Sequence, residues 1–164
     1  MKALYFSAVA VIVAYLAYTI FAFNRIPKSI SDTYYQWAER GAKYLFTAVM
    51  WLVTILLLPY WVAKSPTNVQ FLPFLSMSGL AFVGGACAFK ETLTKATHFT
   101  SAGIWAASAL LYFILLGDWA AIAIGGVFGI VTCTATLVRN SKHFTFWAEM
   151  ACIVMMMIGI YLLN

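Results

Sequence analysis

Long apolar runs dominate the chain, and six of them, at roughly 3–23, 42–63, 71–89, 97–116, 118–138 and 144–163, are broken by almost no charge. A helix that crosses a hydrocarbon core of about 30 Å needs about 20 such residues, because only a helix or a closed barrel satisfies its own backbone hydrogen bonds in lipid. None of the runs alternates as a barrel strand does. The pattern predicts an all-α polytopic membrane protein, a single integral domain over residues 1–164 folded as a compact six-transmembrane-helix bundle. Lys2 ahead of the first run invites comparison with a secretory signal. The length of that run and the absence of a small-residue cleavage site in Phe21-Ala22-Phe23-Asn24-Arg25 predict instead a retained helix.

Most connections between the runs are short, so sequential helices should be antiparallel neighbours. The exception is the stretch from Asn24 to Gly41. Pro27 stops the first helix, while Ser29, Ser31 and Asp32 offer N-cap oxygens for a new one. Ile30, Tyr34 and Trp37 fall on one side of it, with Asp32, Gln36, Glu39 and Arg40 on the other. That arrangement predicts a short interfacial helix between the first two spans, with Glu39 and Lys43 as a favourable i,i+4 pair. In the fifth run Ala121, Gly125 and Gly129 recur every fourth residue, and the third run carries Gly84-x-x-x-Ala88. Such small-xxx-small spacing lets helix backbones approach closely. Internal packing is the expected use, with a homo-oligomer seam as the alternative.

Composition agrees with this frame. The 164 residues are 64% hydrophobic and 9% charged, with a mean hydropathy of +0.90, whereas a soluble domain carries about 25% charged residues. The net charge of +5 does not make a nucleic-acid module, since the ten Lys and Arg form no continuous stripe. Their distribution sets orientation instead. Arg25, Lys28, Arg40, Lys43, Lys90, Lys95, Arg139 and Lys142 fall on one side of the six-span map and only Lys2 and Lys64 on the other. The excess of cations on the inner side of membrane proteins then predicts a bacterial cytoplasmic membrane protein with both termini outside the cytoplasm. Tyr60, Trp61, Trp119 and Tyr161 mark the expected outer boundary, and Tyr34, Tyr35, Trp37 and Trp147 the inner one. Cys87, Cys133 and Cys152 have no paired spacing, which argues against both a disulfide framework and a thiolate metal site.

Ionisable groups within apolar helices are costly, and their placement points to function. His98 and His143 stand at the starts of two parallel helices and should lie at similar depth. Glu149 comes six residues after His143, about 9 Å further along its helix, inside the inner leaflet. On the fourth span His98, Ser101, Trp105, Ser108 and Tyr112 share a narrow arc. Were that stripe to face Glu149, the carboxylate would accept a hydrogen bond from Ser101 or the Trp105 indole. His98, Ser101, Trp105 and Glu149 are therefore the candidates for a ligand- or ion-binding pocket open to the cytoplasm. Asp32 and Asp118 read as helix caps, and Lys90 and Glu91 as a solvated turn.

Pro27-Lys28-Ser29-Ile30-Ser31-Asp32-Thr33-Tyr34-Tyr35, followed by Phe82-Val83-Gly84-Gly85, Phe89-Lys90 and His98-Phe99, resembles a group of small six-span membrane proteins of bacteria and phages that have no known activity. The resemblance spans about two thirds of the chain and implies a fold but no reaction. A more remote likeness is to the alkaline ceramidase and adiponectin-receptor-like membrane hydrolases, which hold zinc with three histidines. This chain has two histidines and Thr94-x-x-x-His98 in place of Ser-x-x-x-His. A zinc site here would have to combine His98 and His143 with Asp32, Glu91 or Glu149.

No phosphate loop, nucleophile elbow or His-Glu-x-x-His motif is present, so the expectation leans away from an enzyme. Binding or transport of a small solute or ion ranks first, with no cofactor expected and the lipid bilayer as the immediate partner. An intramembrane zinc hydrolase or lipid-modifying enzyme is the second reading, with haem b between the two histidines as a variant. A structural or accessory subunit is the third.

Overall fold

The computed structural model describes residues 1–139 and 142–163. Among these the elements are α1 (Lys2–Phe23), α2 (Thr33–Ala38), α3 (Leu45–Lys64), a 3₁₀ turn (Thr67–Val69), α4 (Phe71–Gly85), α5 (Thr92–Leu116), α6 (Trp119–Val138) and α7 (Phe144–Leu162). The all-α expectation holds. Five helices, α1, α3, α5, α6 and α7, are long and apolar enough to cross a bilayer.

The run at 71–89 is the departure from six full spans. Helix α4 stops at Gly85 after 15 residues, about 22 Å at 1.5 Å per residue, short of the hydrocarbon thickness. Two adjacent glycines, the poorest helix formers after proline, sit at its end. Ala86 then leaves helical geometry, and the carbonyls of Ala86 and Ala88 turn to side chains of α5, His98 and Thr94. Ala88 and Cys87 consequently lie in the turn and not in a span, so Gly84-x-x-x-Ala88 never forms a helical face.

The other boundaries have local causes. Asn24 closes α1 in the left-handed conformation (φ 48°), three residues before Pro27. Gly117 does the same for α5 (φ 68°), and the Asp118 carboxylate accepts the Ala121 N–H at 3.1 Å, the predicted cap of α6. Helix α2 is only six residues long, which leaves Ile30 ahead of it and Glu39 and Lys43 beyond its end, so the proposed i,i+4 pair has no helix to sit on. Lys43 lies over the Tyr44 ring instead.

Successive long rods run antiparallel. At one end Tyr5 of α1 donates to the Met157 carbonyl of α7 at 2.9 Å and its ring meets Tyr60 of α3 and Tyr161 of α7. There, too, Ser65 after α3 bonds the Tyr112 hydroxyl of α5 at 2.7 Å. The start of α1 and the end of α7 therefore share this end of the bundle, with Lys2 and Lys64. The opposite end gathers α2, the α4–α5 turn and the start of α7, with Arg25, Lys28, Lys90 and Lys142 around one basin. Tyr60 and Trp61, expected at a boundary belt, are instead packed fully inside, while Trp119 and Tyr161 are exposed.

Helix α3 packs between α1 and α4, and α4 between α3 and α5; α6 leans chiefly on α7. Large apolar side chains such as Phe6, Val13, Phe21, Ile55, Val127, Ile130 and Val131 cover the outside of the rods. Such a surface is costly in water and ordinary against acyl chains, and the chain is an integral, multi-pass membrane protein.

The small residues serve internal packing. A Cβ on Gly125 would stand 2.4 Å from the Met155 Cβ, and one on Gly129 3.1 Å from the Ala151 Cβ, both on α7; Ala121 is fully buried in the same seam. Gly84 meets Met50 of α3 in the same way. The sequence pattern did not single out Gly79, pressed on the Ser101 and Trp105 backbone, or Gly159, against the Phe113 ring. Gly125→Leu is expected to destabilise the bundle by about 2 kcal/mol through overpacking. Gly126→Ala, whose Cβ would meet nothing within 4 Å, should leave the thermal unfolding midpoint in detergent unchanged.

Candidate functional site

Proline at 27 and the small hydroxyl residues around Ile30 give residues 27–32 no helical periodicity, and this segment does not lie flat on the bundle end. It dips between α5 and α7 so that Pro27, Ser29, Ile30 and Ser31 are all buried. Irregular backbone inside a membrane bundle is tolerated only when its polar groups find partners. Here they do, mainly on α7. The Pro27 carbonyl accepts from His143 Nδ1 at 3.0 Å, the Lys28 carbonyl from the Phe146 N–H at 3.0 Å, and the Ile30 N–H donates to Glu149 Oε2. The Ile30 carbonyl takes the Thr33 N–H and hydroxyl, and the Ser29 hydroxyl accepts the Asp32 N–H at 2.9 Å.

Glu149 is thus held by the main chain of the inserted segment. Of the expected donors, Trp105 points its Nε1 to the Met156 sulfur at 3.4 Å, and α4 rests on the backbone of Ser101 and Trp105. Ser76 of α4 donates to the Trp105 carbonyl at 3.0 Å. The stripe His98, Ser101, Trp105, Ser108 and Tyr112 is buried throughout, as its polarity within an apolar helix requires.

His98, only 3% exposed, is fixed from two sides. Its Nδ1 lies 3.0 Å from the Ala86 carbonyl, which can only accept, so Nδ1 carries hydrogen. Nε2 faces the Ser31 hydroxyl at 3.1 Å. A neutral imidazole accepts from Ser31 there; a protonated one donates to it. Phe89 stacks on the ring at 4.9 Å.

His98 and Glu149 line one cavity of about 360 Å³, together with Lys28, Ser31, Asp32 and Lys142. Ser31 and Glu149 also wall a smaller chamber of about 50 Å³ deeper in the bundle, enclosed by Phe46, Met50, Leu80, Trp105 and Ile153. The inserted segment therefore divides an outer, polar space from an inner, apolar one. Asp32, expected as a cap, makes no such bond; its carboxylate pairs with Lys90 Nζ at 3.4 Å. A more spacious groove, about 490 Å³ between Trp51, Phe82 and Thr97, is lined almost wholly by apolar atoms.

The two histidines do not converge. His143 turns its Nδ1 to Pro27, His98 to Ala86, and Glu91 lies in the exposed turn before α5. Among the described residues no three of His, Cys, Asp and Glu come together as a metal site, so the set His98, His143, Asp32 and Glu91 is not assembled. Sequence reasoning missed Ser31, Lys28 and the main chain of Ile30, because it assigned the serines to a cap. The available signal was a lone Ile flanked by two serines, two residues after a proline, which fits neither an amphipathic helix nor a hydrated loop.

Comparison with protein-family models, with curated proteins and with solved structures gave no match.

The Ile30–Glu149 bond separates two variants. Glu149→Gln keeps an oxygen that accepts the Ile30 N–H and should unfold at nearly the wild-type temperature. Glu149→Leu leaves that buried donor without a partner and should cost roughly 1–3 kcal/mol, read as a lowered thermal midpoint in detergent.

Proposed function

We propose that the protein is a six-pass membrane protein that binds, and passes across the bilayer, a small solute bearing both an anionic group and a cationic or hydrogen-bond-donating group. The observation that carries this reading is the single cavity holding Glu149 and His98 at the boundary of the deeper chamber, with Lys28 and Lys142 on the same wall. Lysines suit the anionic group, and the Glu149 carboxylate with the His98–Ser31 pair suits the donor end. A cavity of about 360 Å³ is at the lower end of the usual range for small-molecule sites. In this reading α4 completes a sixth, shortened pass; local thinning of the bilayer accommodates it. The cation-rich end faces the bacterial cytoplasm, which puts both termini outside and α2 at headgroup depth.

A second reading has one observation in its favour: Glu149, His143 and the Phe146 N–H all fasten the 27–30 segment to α7, which is what a purely architectural role would use.

Equilibrium binding to the purified protein, with free amino acids and short hydroxy acids as probes, distinguishes the two. Glu149→Gln and His98→Gln should each weaken binding by about tenfold or more, equivalent to about 1.4 kcal/mol, with the unfolding temperature nearly unchanged for Glu149→Gln. Absence of binding by the wild type to any probe, or equal binding by both variants, would overturn solute recognition in favour of the architectural role. For orientation, Lys64→Cys should react with an impermeant thiol reagent in intact cells and Lys90→Cys only after permeabilisation.

A further inference from the structure

At the end of the bundle away from the inserted segment, and sharing no residue with the Glu149 cavity, a basin of about 410 Å³ opens between the start of α1 and the ends of α3 and α7. Two cations reach it: Lys2, exposed, and Lys64, partly buried in the last turn of α3. No Asp or Glu among the described residues lines it. Lysines at a helix end are ordinary on their own, since most lysines meet solvent.

The independent sign of a ligand is Tyr60. Its ring packs against that of Tyr5, with centroids 5.5 Å apart, and the residue is only 2% exposed. The buried hydroxyls of Tyr5, Tyr15 and Tyr112 all have hydrogen-bond partners, whereas that of Tyr60 has none among the described residues. Nor is it sealed in. The unpaired side-chain atoms shut off from solvent are Gln36 Oε1 and Trp61 Nε1, so the Tyr60 oxygen keeps open surface, and the space it borders is this basin. A phenol buried along its body and open at its polar tip is aimed at whatever fills that space.

The walls narrow the chemistry of the occupant. Tyr60 and Lys64 are four residues apart on α3, so they stand on one face of that helix, while Lys2 approaches from α1. Tyr5 directs its hydrogen to the Met157 carbonyl, which leaves Tyr60 as the buried phenol able to donate. Two ammonium groups and a hydroxyl donor match an anion with several oxygens and more than one charge, and a phosphate monoester carries about −1.5 to −2 at neutral pH. A carboxylate would leave one lysine unanswered. Outward of the cations the wall turns apolar at Phe6 and Leu162, both exposed on the flank of the rods.

We propose that this basin binds a phosphate monoester, with Lys2, Lys64 and the Tyr60 hydroxyl donating to its oxygens. Two sources share that chemistry: a lipid whose headgroup is a bare phosphate, its tails running along Phe6 and Leu162, and a soluble phosphate ester.

The test is a titration of the purified full chain in detergent, read by native mass spectrometry, with phosphatidic acid, phosphatidylcholine and sn-glycerol 3-phosphate as probes. One phosphatidic acid should bind saturably and about tenfold more tightly than phosphatidylcholine, whose phosphate is a singly charged diester. Tyr60→Phe removes an oxygen that bonds no described residue, so the thermal midpoint should stay in place while phosphatidic acid binding weakens by about tenfold. A hydroxyl that is merely hydrated would move neither. Lys64→Gln should weaken binding by a similar factor, and it carries the test should Tyr60→Phe fail to fold. Binding of sn-glycerol 3-phosphate in competition with the lipid identifies a soluble ester; saturable lipid binding that it does not displace identifies the lipid. Absence of saturable binding by every phosphate probe, equal affinity for phosphatidylcholine, or binding that Tyr60→Phe and Lys64→Gln leave unchanged would overturn the site. Glu149→Gln, at the other end of the bundle, should bind phosphatidic acid as wild type does, so loss of the solute reading would leave this one standing.

Discussion

One constraint organises this protein: a stretch of non-helical chain, residues 27–31, has been buried between apolar helices at one end of the bundle. Its peptide groups must be answered by protein, and α7 answers most of them, through the Glu149 carboxylate, the His143 ring and the first-turn N–H of Phe146. Glu149 thereby has an architectural reason to exist at a depth where an acid is otherwise costly. The same bond aims the carboxylate at the inserted segment, so that Ser31 and, through it, His98 share its surroundings. Position and chemistry come from a single contact.

The inserted segment also explains why two polar cavities lie side by side at one end. Lys28, Asp32 and Lys142 stand on the ridge between them, and the Lys90–Asp32 pair sets the local charge balance. One space reaches inward to a carboxylate and an imidazole; the other stays at the bundle end and is dominated by cations.

How much of this could be read from the chain varies with the kind of evidence each feature leaves. Apolar runs at 3–23 and 118–138 become α1 and α6 within one residue, because a span in lipid leaves an uninterrupted signal. The run at 71–89 misleads, since hydropathy is blind to the Gly84-Gly85 pair and to side chains of α5 that capture the carbonyls beyond it. The buried polar stripe on α5 was legible from its spacing, but its partners were not: His98 meets Ala86 and Ser31, Trp105 meets Met156 and Tyr112 meets Ser65. His98 and Glu149 were found as titratable groups in apolar helices. Ser31 and the Ile30 N–H were not, because a backbone group has no letter in a sequence and a serine before a helix is far more often a cap. Gln36, expected on the polar side of α2 yet buried, was misplaced for a related reason, as a six-residue helix is too short for its polar side to be assigned by periodicity.

The partners of the inserted segment come late in the chain. Ile30 and Glu149 are 119 residues apart, and Pro27 and His143 are 116 apart. During synthesis the first hairpin is made long before α7 exists, and until α7 arrives the peptide groups at 27–30 have only water or the translocation machinery to meet them. Docking of the last helix is therefore the event that lets residues 27–30 leave water, and the two cavities come into being only at that moment. A ribosome stalled before residue 143 would hold most of the rods and neither of the sites.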